Sequence, residues 1–211
     1  MAEFSFDNLS LERAERLVAE GLSARVKGGE VLLLTGANGS GKSSLLRALA
    51  GLMLPASGCI AWDGIDIAKN ADAHRARLAF VGHQDAVKPG LTTAENLRFW
   101  EAMGAGDARA ALGAFKLTNL ADRPARFLSA GQRRRLGLSR LALRPKALWL
   151  LDEPTTALDA DSRAAFQGLL NQHLERGGIA IIATHEELGV AAQRLALQAP
   201  GPRNLAQEAA A

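Results

Sequence analysis

Apolar residues in this chain fall into two patterns, short unbroken runs and longer stripes of helical period. Val31–Leu34, Ala147–Leu151 and Ile179–Ala183 are unbroken runs bounded by glycine or polar residues. Such runs suit strands buried on both faces, as in a parallel sheet. The stretch 77–82, RLAFVG, reads the same way. After Lys42 the period changes: Leu45, Leu46, Leu49 and Leu52 recur on one helical stripe. Ala165, Phe166, Leu169, Leu170 and Leu174 do so in a helix from about Ala160 to Arg176, ended by Gly177-Gly178. Residues 4–27 predict short strands instead, from Phe4, Phe6, Leu9 and Leu11, then Leu17-Val18, then Leu22 to Val26. Sequential strands of this kind imply an antiparallel layer. Residues 56–64 predict a hairpin turning at Asp63-Gly64, with Ile65–Ile67 as its return strand.

The segment from Asp85 to Arg144 has helical texture without convincing strands. Thr92 and Glu95 have capping-box spacing, and Leu97, Trp100 and Met103 supply the stripe behind them. Asp107 can cap a second helix reaching Phe115, and Ser129 with Gln132 opens a third, which Pro145 stops. Strands alternate with helices on both sides of this segment, which predicts one α/β domain with a mainly parallel sheet. Residues 1–84 and 146–200 are expected to form the core with its N-terminal antiparallel β layer. Residues 85–145 are expected as an inserted helical subdomain, and residues 201–211 as a frayed tail.

Composition adds bounds. The 211 residues are 48% hydrophobic and 22% charged, ordinary for a globular chain. Net charge is +3, with no basic stripe interleaved with aromatics, so no nucleic-acid partner is expected. No apolar run is long enough to span a bilayer, and the start MAEFSFDN is unlike a secretory leader. A cytoplasmic chain is expected, held at a membrane only by a partner. The single cysteine, Cys59, is expected as a small core residue, and the four histidines lack metal-ligand spacing. Trp62, Trp100 and Trp149 are expected as core anchors.

The chemistry centres on residues 36–43, GANGSGKS, which fit G-x-x-x-x-G-K-[ST] at every position between a strand and a helix. Gly36, Gly39 and Gly41 let the backbone curl so that N–H groups converge on a phosphate. The helix after them adds the positive end of its dipole. The expected ATP-binding set is Gly36, Ala37, Asn38, Gly39, Ser40, Gly41, Lys42, Ser43 and Ser44. Lys42 can reach the β- and γ-phosphates, and the Ser43 hydroxyl can bind Mg2+. The run into Asp152-Glu153 is a second nucleotide signature: Asp152 as magnesium ligand, Glu153 as base toward water. Two acids at a strand end could equally cap the next helix; a complete phosphate loop upstream favours the nucleotide reading.

Leu128–Gln132 reads LSAGQ and is followed by Arg133-Arg134-Arg135. Here the chain resembles the ATP-binding cassette ATPases, whose signature is LSGGQ; Ala130 is the departure. The resemblance implies a P-loop NTPase fold and a head-to-tail, ATP-dependent homodimer. In that dimer Ser129, Ala130, Gly131 and Gln132 of one protomer meet the γ-phosphate bound by the other. It further implies that Gln84 senses magnesium and touches the membrane partner. Asp159 lies in the loop that crosses the dimer interface, where it can also cap the next helix. His185 becomes the switch residue that contacts the γ-phosphate, with Glu153 and Lys42 as its catalytic companions. The family usually stacks adenine on an aromatic, often tyrosine, and this chain has no tyrosine. Arg13 takes that position, where a guanidinium can stack on the base. Phe4 and Phe6 are its rivals but suit strand packing. Arg133–Arg135 are expected as a solvated helix face at the dimer seam.

The resemblance runs from Leu9 to about Leu197. Within the family the chain resembles the ATP-binding subunits of cytochrome c maturation haem exporters. The residues that carry this are Arg13–Leu17, VGHQDAVKPGLTTAENLRFW, LSAGQRRR and LWLLDEPTTALD, with His83 before Gln84. It implies a peripheral ATPase on the cytoplasmic face of the inner membrane, partnered by haem-exporter membrane subunits. Its work there would be release of a haem-loaded chaperone. Two other readings stay open: the ATPase of an exporter for another substrate, and a non-transport cassette protein. The latter typically carries two cassettes or a coiled-coil insert, and neither is present.

Overall fold

The computed structural model describes residues 1–14, 16–102, 106–143 and 145–198. In chain order its strands are β1 (Glu3–Arg13), β2 (Arg16–Lys27), β3 (Val31–Thr35), β4 (Ser57–Trp62), β5 (Ile65–Asp66), β6 (Leu78–Val81), β7 (Leu148–Asp152), β8 (Ile179–Ala183) and β9 (Gln193–Ala196). Its α-helices are α1 (Lys42–Leu49), α2 (Ala71–Arg77), α3 (Thr93–Glu101), α4 (Ala108–Ala114), α5 (Ala130–Leu143) and α6 (Ala160–Glu175). Met103 and the tail 201–211 lie outside the described residues.

The unbroken apolar runs became the parallel sheet, ordered β6-β7-β8-β3-β9. Every residue of β7 and β8 is buried. Side chains alternate between faces, so each run feeds two cores. Val31, Leu33, Trp149, Leu151, Ala180 and Ile182 face one core, shared with α6 and the helices of residues 93–143. Leu32, Leu34, Leu148, Leu150, Ile179 and Ile181 face the other, shared with α1 and the antiparallel layer. That layer is ordered β2-β1-β4-β5, all antiparallel. The expected short N-terminal strands are two long ones, kept in register by irregularities between Phe6 and Leu9 and beyond. Phe4 and Phe6 are buried in this layer, as strand packing requires.

Several expectations are corrected. Cys59 is exposed, not a core residue. It alternates with Ile60 and Trp62, which point inward; the stretch is apolar throughout, so composition alone does not set the phase. Leu52 lies beyond the end of α1 and is 61% exposed, because Gly51 turns the chain with φ 69°. Ile67 is not in the return strand; it opens a 3-10 helix capped by Asp66. Arg77 ends α2 rather than opening β6. Trp62 and Trp149 are buried, while Trp100 is half-buried with the Arg140 guanidinium over its ring at 5.0 Å.

The helix starts follow the local chemistry. Thr92 and Glu95 form the reciprocal capping box. Asp107 caps α4 through the N–H groups of Arg109 and Ala110. Ser129 and Gln132 bond reciprocally at the start of α5, at 2.9 and 3.2 Å. Asp159 caps α6 through Ser162 N–H at 2.9 Å.

Candidate active site

Four strand ends of the parallel sheet carry the candidate residues: β3 leads into the loop 36–41, β6 into Gln84, β7 into Asp152-Glu153 and β8 into His185. Ligands of open α/β sheets bind at the carboxyl ends of strands. The loop is locked by close packing: Gly41 has φ 96°, and a Cβ there would lie 2.8 Å from the Val18 carbonyl. The β1–β2 hairpin therefore rests on the phosphate loop, and only glycine fits between them. Ala37, Asn38 and Gly39 are exposed, Ser40 is buried and Ser44 half-buried.

Two observations test whether these residues suit a polyanion. Helix α1 has no side-chain N-cap bond, whereas Asn70, Thr92, Asp107, Ser129 and Asp159 cap the other five α-helices. Its first N–H groups thus lack the side-chain acceptor that the other helices possess. The Ser40 hydroxyl is buried without a partner beside them. Both are what a phosphate would satisfy. Lys42 is buried, and its ammonium donates to Gly36 O at 2.6 Å and Ala37 O at 3.0 Å. It therefore lies along the loop rather than out in solvent.

Ser43 Oγ donates to Asp152 Oδ2 at 2.7 Å, joining positions 109 residues apart. A hydroxyl and a buried carboxylate so close are a suitable pair of oxygen ligands for a hard cation. The Glu153 carboxylate is 3.6 Å from His185 Nε2, with side chains 22% and 52% exposed. Glu153 has φ 48°, rare for a residue with a Cβ, and its N–H donates to Ala183 O at 2.8 Å. Gln84 is exposed. It lines a groove of about 980 Å³ that also touches Ser43, Arg47, Phe80, Trp100, Arg140 and Asp152.

The other expected residues make contacts of their own. Among the described residues no hydrogen bond joins 129–132 to 36–44. Gly131 instead packs on the loop before Asp159: a Cβ there would meet Ala157 O at 2.8 Å. Ala130, the departure from LSGGQ, is exposed in the first turn of α5, so its methyl meets no packing conflict within the chain. Hydrogen bonds from Ser162 hold the Asp159 carboxyl below the usual range. Arg163 ties this loop to the region after β8, donating to Leu158 O at 3.2 Å and Glu186 at 2.9 Å. Arg13 is exposed at the end of β1, opposite Arg16. Arg134 corrects the solvated-face expectation: it is 4% exposed. Nothing in its run of three arginines distinguishes it; only the helix phase of α5 does.

A buried parallel strand, a glycine loop seated on a helix N-terminus and a strand-end carboxylate bonded to the loop serine define a phosphate-loop nucleotide-binding protein. Residues 19–156 match the ABC transporter family. The chain is 49% identical over 194 residues, 89% of each chain, to the cytochrome c biogenesis ATP-binding export protein CcmA of Paramagnetospirillum magneticum. It is 48% identical to the CcmA of Rhodospirillum rubrum, over 89% of this chain and 82% of that one. A solved ATP-binding subunit of an ABC transporter superposes with TM-score 0.77 at 26% identity, over 86% of this chain and 79% of its own. This chain belongs to the ABC transporter family. It is an ATP-binding, ATP-hydrolysing member, a subunit that has membrane partners. No described helix is long and apolar enough to cross a membrane.

Proposed function

We propose that this chain is the ATPase subunit of an exporter serving cytochrome c biogenesis, powering haem export or release of a haem-loaded chaperone. The observation that carries the reading is the 49% identity, over 89% of both chains, to a protein named as a cytochrome c biogenesis ATP-binding export protein. Residues 36–44 hold the triphosphate of ATP. Ser43, Asp152 and Gln84 hold magnesium, which when bound neutralises charge on the phosphate oxygens. Glu153 takes a proton from the attacking water, oriented with His185, and Lys42 stabilises negative charge on the transferring group. Ser129–Gln132 and Asp159 act across a homodimer: among the described residues their hydrogen bonds go to their own helix starts and none to loop 36–44, which supports a role toward a second copy.

Residues 85–145 act in this reading as a helical subdomain that swings against the α/β core. The groove beside Gln84 lies between the two, which supports it as the place where a membrane subunit feels the nucleotide. The chain would then sit peripherally on the cytoplasmic face of the inner membrane. Recovery of tagged Glu153→Gln chain from ATP-loaded membranes tests the pathway. Small haem-handling membrane subunits are the expected companions; an unrelated permease would leave the ATPase in place and sink the pathway.

Arg13 is proposed to stack on adenine. Its hairpin rests on the phosphate loop through Val18 and Gly41, which supports the assignment. Such a contact is worth about 0.5–2 kcal/mol. Arg13→Ala should therefore weaken ATP binding about 2- to 30-fold, read by titration with a fluorescent nucleotide. Unchanged affinity would remove Arg13 from the site.

A further inference from the structure

Arg134 takes no part in the mechanism above, yet its guanidinium is fully engaged by the segments around the site. Nε donates to Pro154 O at 3.2 Å. Nη1 donates to Gly82 O at 3.1 Å and to Asp85 Oδ1 at 2.8 Å. Nη2 donates to Asp152 O at 2.7 Å and Glu153 O at 2.6 Å. A guanidinium carries five N–H groups, and all are used. Four acceptors are main-chain carbonyls; the fifth is the carboxylate that balances its charge, in a pair with side chains 5% and 23% exposed. Burial of an unpaired charge would be strongly unfavourable, so this arrangement is an all-or-none clamp.

The clamp joins three segments that the sequence keeps apart: the helix opened by Ser129, the end of β7, and the loop that carries Gln84. It also holds a strained residue. Glu153 is left-handed, a conformation that persists where neighbours over-determine it. Ala183 O fixes its N–H and Arg134 fixes its carbonyl.

We infer that Arg134 is a positioning residue for Glu153, setting the carboxylate according to where the signature helix lies. The inference rests on the proposed role of Glu153 as base. When the start of α5 engages a neighbouring protomer's nucleotide, the carbonyl of Glu153 and the Gln84 loop move with it. Signature engagement and base placement thereby become one event. Lysine cannot substitute, since it offers three donors from a single point.

The test compares Arg134→Lys, Glu153→Gln and the double variant of the full-length chain, by ATPase rate, fluorescent-nucleotide affinity and thermal melting. Misplacement of a catalytic group by about 1 Å lowers turnover on the order of 100-fold. Arg134→Lys should lower kcat by about 10- to 100-fold and leave nucleotide affinity unchanged. In the Glu153→Gln background it should lower the residual rate no further. A wild-type kcat, a parallel loss of affinity, or the same fractional loss in both backgrounds would overturn the inference. If Arg134→Lys does not fold, Asp85→Asn, which takes the balancing charge from the clamp and so loosens its hold on the Glu153 carbonyl, decides the matter by the same split: a lower kcat with affinity held supports the inference, and a wild-type kcat overturns it. A wild-type rate in Glu153→Gln alone strikes the base assignment, and the clamp is then judged on the kcat of Arg134→Lys.

Discussion

Replacement of Glu153 by glutamine should lower ATP turnover by about 100- to 10,000-fold, the contribution of a positioned general base, while ATP binding survives. The amide keeps the size and hydrogen-bonding reach of the carboxylate but cannot accept a proton. The left-handed backbone is held by Ala183 and Arg134 through main-chain atoms, so the substitution leaves those bonds in place. Removal of a negative charge from beside the phosphate site also favours the bound triphosphate. The closed dimer should therefore accumulate with ATP and elute as a species of twice the mass in size-exclusion chromatography. Hydrolysis at the wild-type rate would show that another group serves as base.

The second large effect is expected at Lys42. Its ammonium already lies along the phosphate loop, bonded to Gly36 and Ala37 carbonyls. A triphosphate offers stronger, charged acceptors at the same place. A hydrogen bond to a charged group is worth about 1.5–3 kcal/mol, so Lys42→Ala should weaken ATP binding about 10- to 150-fold. The same change leaves two loop carbonyls without their donor, so the loop should also lose order. Isothermal titration with ATP and with ADP separates the contributions: the loss should be larger for ATP, which carries the γ-phosphate. Equal losses for both nucleotides would confine Lys42 to holding the loop.

Residues at the candidate site stand out in the sequence for different reasons. Lys42 and Ser43 announce themselves because a phosphate needs a glycine turn, a helix start and fixed side chains within a few residues. The caps at Thr92, Asp107, Ser129 and Asp159 were legible for the same local reason: a side chain reaches N–H groups two or three positions ahead. The edge strand β9 was not legible, because it has no buried residue among Gln193–Ala196 and so leaves no apolar run. Helix α2 leaves no apolar stripe, because it is seven residues long and buries only His74.

The sequence by itself determined the glycine loop between β3 and α1, the fully buried strands and the helix starts. Each depends on neighbours in the chain, through period, turn chemistry or capping. Tertiary structure alone decided the rest. It brought Ser43 to Asp152 across 109 positions and set Glu153 near His185. It turned Cys59 outward, because pairing with β1 fixes the phase of β4. It also buried Arg134 while leaving Arg133 and Arg135 half-buried, since only the packing of α5 against α3, α4, α6 and β6 chooses which of three arginines faces inward. Identical side chains in a row carry no such choice. Contacts from distant segments make it.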